Sequence, residues 1–182
     1  MGVLPTTLNT RMIFNSCHMD ITIQNDSSTP AYLDLYYIMC RKDSISSAAT
    51  DFSNIDTTKW AGESAINVGT LGIAPYDSSD FTHHWVIKKH RRILLPAGQS
   101  TEVSLSDSKR RYYDSDMAPA SVSATFCSLK GWTSGLLIQV EGATLDATNK
   151  FPEATSIRWF MTKTYSVSIC PGFTPVTTGL VP

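Results

Sequence analysis

Seven of the fifteen lysines and arginines fall within 24 residues, at Lys88, Lys89, Arg91, Arg92, Lys109, Arg110 and Arg111, and Tyr112 and Tyr113 follow directly. The chemistry open to such a set is the holding of a polyanion. Each cation can displace a counterion from a phosphate, and aromatic side chains at the edge of a basic patch can stack on bases. The two clusters flank Pro96-Ala97-Gly98, which reads as a turn. If the segments 85–95 and 100–112 pair or neighbour each other, the clusters merge into one patch, and the candidate nucleic-acid-binding residues are Lys88, Lys89, Arg91, Arg92, Lys109, Arg110, Arg111 and Tyr112. The competing reading is an edge strand on which Lys and Arg discourage strand addition. Net charge is only −1, so the chain as a whole is not basic.

Other chemistries find little support. The histidines are His18, His83, His84 and His90. His84 and His90 share a parity but stand six residues apart, and the adjacent His83 and His84 of one strand would point to opposite faces, so no metal site is expected. No GxSxG elbow is present, and no cysteine has a context that would activate it. Cys17, Cys40, Cys127 and Cys170 form no CxxC pair and are expected to be reduced thiols. Asp107, Asp114 and Asp116 lie in a loop-like stretch and read as solvated turn residues rather than a calcium site. The triplet Asn25-Asp26-Ser27 matches a glycosylation sequon, a pattern short enough to recur by chance. The chain reads as a non-enzyme without metal or cofactor.

The elements that would position the basic residues are strands. Met19, Ile21 and Ile23 alternate with Asp20, Thr22 and Gln24; Ala31, Leu33, Leu35, Tyr37 and Met39 share one parity after the turn at 25–30. Alternation returns around Trp85 and Ile87, at Val103 and Leu105, weakly over 121–126, and at Leu136, Ile138 and Val140. Ile157, Trp159, Met161, Tyr165, Val167 and Ile169 share parity in the longest run, which predicts Trp159 and Tyr165 in the core. Residues 43–80 read as a long loop insertion with a helical turn near 56–65. No apolar i, i+3, i+4, i+7 pattern persists, and 182 residues with 17% charged side chains suit one domain, 1–182, with much of its surface covered by neighbours. The expected fold is all-β, a jelly-roll sandwich of two antiparallel four-stranded sheets. Neither a signal peptide nor an apolar run of bilayer length is read, so a soluble protein made inside a cell is expected.

The segments HMDITIQNDSSTPAYLDLYYIMCRKDS, FTHHWVIKKHRRILLPAGQSTEVSLSDSKRRYYD, GLLIQVEGATLD and TSIRWFMTKTYSVSIC together resemble the jelly-roll capsid proteins of small circular single-stranded DNA viruses, circovirus-like and related groups. The features that carry the likeness are a strand ending in N-D-S before a Tyr-rich strand, a W-x-I-K-K stretch running into L-L-P-A-G, and a late I-Q-V-E-G. The resemblance implies self-association into an icosahedral shell, a single-stranded genome inside, DNA by the family, and a place in the virion after synthesis in the nucleus or cytoplasm of the host cell. It implies no membrane partner. Family members commonly begin with an Arg-rich arm, whereas Arg11 is the only Lys or Arg in the first 40 residues. Either such an arm lies upstream, or the genome contact falls to the clusters of 88–111. The alternative reading is a carbohydrate-binding β-sandwich module in which Trp60, Trp85 or Trp132 stacks on sugar rings; a hydrolase on the same scaffold has the least support.

Overall fold

The computed structural model describes residues 11–53, 74–114, 128–143 and 155–169. Among these residues seven strands dominate: β1 (Arg11–Asn25), β2 (Ala31–Cys40), β3 (Trp85–Leu95), β4 (Ser100–Asp107), β5 (Arg111–Asp114), β6 (Ser134–Gly142) and β7 (Ile157–Ile169). Two six-residue helices, α1 (Ala48–Ser53) and α2 (Ser79–His84), and a 3-10 turn at Pro75–Asp77 lie between β2 and β3. The strands form two antiparallel sheets, one of β4, β1, β5 and β7 and one ordered β3-β2-β6. This is the all-β sandwich class that the period-two pattern predicts, with three rather than four strands in the second sheet among the described residues. The weak strand expected over 121–126 and the helical turn expected near 56–65 lie outside the described residues.

The chain divides into two compact units. One holds residues 11–20, 104–114 and 161–169; the other holds 21–53, 74–103, 128–143 and 155–160, including the whole β3-β2-β6 sheet. Strands β1, β4 and β7 contribute to both.

The second unit is buried on both faces of β2. Ala31, Leu33 and Leu35 are fully buried on the odd face, as the alternation predicts, and the unit also buries Ile21, Ile23, Leu95 and Val103. On the even face Tyr36, Ile38 and Cys40 form a second core with Phe52 of α1, Phe81 of α2 and Trp85, joined by Ala48, Ile87 and Leu137. The predicted core parity therefore gives way beyond Leu35, where Tyr37 and Met39 are only half-buried. Part of the 43–80 insertion is responsible, because its flanks fold back as helices that cover this half of the sheet. Ser78 starts α2: its Oγ accepts from Phe81 N at 3.2 Å and donates to the Asp51 carbonyl of α1 at 2.6 Å.

One packing expectation is overturned. Trp159 is 57% exposed and Tyr165 50% exposed, together with Phe160, Met161 and Val167, so the run of shared parity in β7 does not mark a core face. A period-two apolar pattern reports a face that needs covering; it does not say that the same chain covers it.

Candidate nucleic-acid interface

Strand β3 carries the first basic cluster and, among the described residues, is an edge strand paired with β2. The register runs Leu95 opposite Ala31 through Lys89 opposite Tyr37, then jumps so that Ile87 faces Ile38, which leaves Lys88 as the extra residue of a β-bulge. The bulge changes which parity faces which side. Trp85 and Ile87, His90 and Arg92 all lie on the even face of β2, whereas Lys89 and Arg91 lie on the odd face beside Tyr37 and Leu35.

The even face is acidic and closed on itself. Asp34 and Glu141 are buried, 4% and 3% exposed, on neighbouring strands. Arg92 Nη2 donates to Asp34 Oδ2 at 3.0 Å and to Glu141 Oε2, and the guanidinium carbon lies 5.0 Å from the Tyr32 ring centroid. His90 Nε2 donates to Asp34 Oδ1 at 2.7 Å, while its ring stacks on Tyr36 at 4.4 Å and an interplanar angle of 8°. Burial, with the charge of Asp34 beside it, pushes the Tyr36 hydroxyl well above the ordinary phenol range. Two buried carboxylates would be untenable without these partners, so Arg92 is a structural cation first.

Among the described residues the odd face of this sheet has no carboxylate. Its residues on β2 are Ala31, Leu33, Leu35, Tyr37 and Met39, and on β6 Leu136, Ile138 and Val140. Lys89 Nζ lies 5.7 Å from the Tyr37 ring centroid. Among the described residues no ion pair is formed by Lys88, Lys89 or Arg91, and all three are exposed.

The second cluster belongs to the other unit. Lys109 and Arg110 form the connection into β5, which pairs with the start of β1 from Arg111 opposite Phe14 to Asp114 opposite Arg11. Arg111 is largely buried, its Nη2 donating to Asp107 Oδ2 at 2.6 Å and its Nη1 to the Lys109 carbonyl at 3.3 Å. Arg110 Nε donates to Asn15 Oδ1 at 3.2 Å, and Tyr112 is half-exposed. Burial opposes ionisation of Asp107, but the Arg111 hydrogen bond, the Lys109 backbone N–H and the two positive charges outweigh it and hold the carboxyl below its ordinary range. Because β3 pairs with β2, and β4 and β5 lie in the β1 sheet, the strand pairing that would have merged the two clusters does not occur.

Catalytic alternatives can be read the same way. Asp51, buried on α1, accepts from His84 Nδ1 at 3.1 Å and Trp85 Nε1 at 2.9 Å, and from Ser46 Oγ. The serine is bound to the carboxylate rather than to the imidazole, so the order nucleophile, base, orienting acid is not assembled. Instead the carboxylate pins α1 to the start of β3. Lys42 Nζ donates to His83 Nε2 at 3.2 Å, and Arg41 and Lys42 cap α2 through N–H bonds to the His84 carbonyl. Among the described residues no cluster of three metal-ligating side chains occurs, and no helix is long and apolar enough to cross a membrane. Of the tryptophans considered for sugar stacking, Trp85 is buried, Trp132 is half-buried and Trp60 lies outside the described residues.

Sequence reasoning missed Asp34, Glu141, Asp51 and the bulge at Lys88. A signal for the first two existed: acidic residues at core-strand positions, Asp34 between Leu33 and Leu35 and Glu141 after Val140, call for buried cationic partners. No family model matches the chain, and neither a curated protein nor a solved structure does.

Proposed function

We propose that this chain is the coat subunit of a virus with a small single-stranded genome, DNA by the sequence resemblance, and that copies of it assemble into an icosahedral shell that encloses the genome. The observation that carries this reading is β7. Along one face of the strand Trp159, Met161, Tyr165 and Val167, and on the other Phe160, each expose at least 41% of their surface. A row of large apolar side chains of this kind is a surface awaiting another chain, and in a closed symmetric assembly the other chain is a second copy. The low charge content agrees, because surface covered by neighbours has less need of solvated side chains. Exposed cations on β3 supply contacts for a polyanion. In this reading the protein has no catalytic role, is made in the host cell and ends in the virion.

Negative-stain electron microscopy and light scattering of the purified protein test it. Closed particles of megadalton mass are expected. A species of one or a few chains at every concentration and ionic strength tried would exclude the shell.

A further inference from the structure

We propose that single-stranded nucleic acid is held on β3 by the exposed side chains of Lys89 and Arg91, and that Arg92 and His90 serve the fold instead. The inference rests on the reading that the chain packages a single-stranded genome, and it sharpens where that genome is touched.

Register sorts the charges of β3 between the two faces of the sheet. The bulge at Lys88 sets His90 and Arg92 on the face of Asp34 and Glu141, where both side chains are held by carboxylates at 2.7 and 3.0 Å. A phosphate approaching Arg92 would meet two buried negative charges within reach of the same guanidinium, and taking the cation would remove it from both carboxylates. Among the described residues the opposite face of the sheet carries no acid, and Lys89 and Arg91 form no ion pair. Residues two apart on a strand stand about 7 Å apart on one face, enough for the two cations to meet separate phosphates of one strand. The half-buried Tyr37 beneath Lys89 keeps the ammonium near the sheet through its ring. Guarding of an open edge would also place Lys and Arg on β3, but it predicts no saturable binding.

The test is fluorescence anisotropy of a labelled oligothymidylate with the full chain, titrated between about 50 and 200 mM salt. The parent should bind with a negative slope of log affinity against log salt. In the double variant K89Q/R91Q the slope should shrink by about 1.4, roughly 0.7 per lost contact, with the circular dichroism and melting of the parent retained. Arg92→Gln should lower the melting temperature but, assayed below it, keep the parental slope. A K89Q/R91Q slope equal to the parent's, a slope lost in Arg92→Gln alone, or a parent that does not bind would each overturn the assignment. The two readings fail separately. Particles that form while K89Q/R91Q binds like the parent sink the assignment and leave the shell standing; a small oligomer whose binding collapses in K89Q/R91Q does the reverse.

Discussion

Asn25 Nδ2 donates to the Leu95 carbonyl at 3.1 Å, across 70 residues of sequence. The same amide donates to the carbonyls of Thr29 at 2.9 Å and Pro96 at 3.3 Å, and Oδ1 accepts from Ser27 N at 2.9 Å. The backbone joins in, with Asn25 N donating to the Gln99 carbonyl and Gly98 N to the Asn25 carbonyl. The turn after β1 and the turn after β3 are thus one joint, organised by a fully buried asparagine. Gly98 takes φ of 68° there, a left-handed conformation that a residue with a Cβ resists. The N-D-S and L-L-P-A-G segments, read separately in the sequence, are the two halves of this joint.

Replacing Asn25 tests the joint directly. Asn25→Ala takes the amide donor from the buried Leu95 carbonyl and the partly buried Thr29 carbonyl and should cost about 1–3 kcal/mol, the range for an unsatisfied buried group, read as a lowered denaturation midpoint. Asn25→Asp should cost at least as much, since an acceptor then faces three carbonyl oxygens. The sequon at 25–27 should carry no glycan in the folded protein, because the acceptor nitrogen is buried and fully engaged; glycosylation of the native fold in an extract would contradict the burial.

How far the fold could be read in advance depends on who covers each face. The odd face of β2 follows the period of two, and Ala31, Leu33 and Leu35 are buried as read. The second core at Tyr36, Ile38 and Cys40 could not be seen that way, because its cover comes from α1 and α2, short helices in a stretch with little apolar pattern. The basic residues were visible as a cluster, but their sorting was not. It depends on one extra residue, Lys88, and on pairing partners far away in the chain. Strand β7 failed in the opposite sense, with a clear pattern and large side chains left exposed.

Arg91 and Arg92 are neighbours in sequence with opposite expected roles in stability. Arg92→Gln removes one partner from each of two buried carboxylates and should destabilise by about 1.5–3 kcal/mol, the range for hydrogen bonds to charged groups. The half-exposed guanidinium keeps the figure at that level rather than the larger one for a fully buried pair. Arg91→Gln should stay within about 0.5 kcal/mol of the parent. Equal midpoints for the two variants in urea unfolding would show that the register-based sorting is wrong.

Asp107 gives a pH dependence with a definite sign. Its carboxyl is held below the ordinary carboxylate range, with burial working against ionisation and the Arg111 hydrogen bond, the Lys109 N–H and both positive charges outweighing it. A depressed folded-state value means that the group's contribution is full above the unfolded pKa, near 3.9, and disappears as pH falls through the lower folded value. Asp107→Asn should therefore narrow the difference in unfolding free energy between neutral and strongly acidic pH. A parent and variant with parallel stability profiles from pH 6 down to about pH 2 would remove Asp107 from the acid response.

The thiols separate accessibility from oxidation state. Cys17 and Cys40 form no disulfide, and burial raises the Cys17 thiol above its ordinary range, with the charge of Lys163 only partly opposing it. In the native protein Cys17 should react slowly with iodoacetamide at pH 8, because the thiolate is the reacting species. Under denaturing conditions all four cysteines should react; two or fewer would mean that disulfides exist.

The exposed strand β7 makes the sharpest demand. If Trp159 and Phe160 serve contacts between copies, truncating them removes little from the folded subunit and much from the assembly. Exposed positions away from buried networks change stability by about 0.5 kcal/mol or less, whereas aromatic residues at the centre of an interface can each cost about 2 kcal/mol or more in association. The double variant W159A/F160A is therefore expected to melt close to the dissociated parent subunit while failing to form particles at concentrations where the parent does. Sedimentation velocity on both proteins, with melting recorded on the subunit fraction, separates the outcomes. A variant that assembles normally would show that β7 is not where copies meet, and a variant that loses several kcal/mol as a subunit would show that Trp159 and Phe160 belong to the core after all.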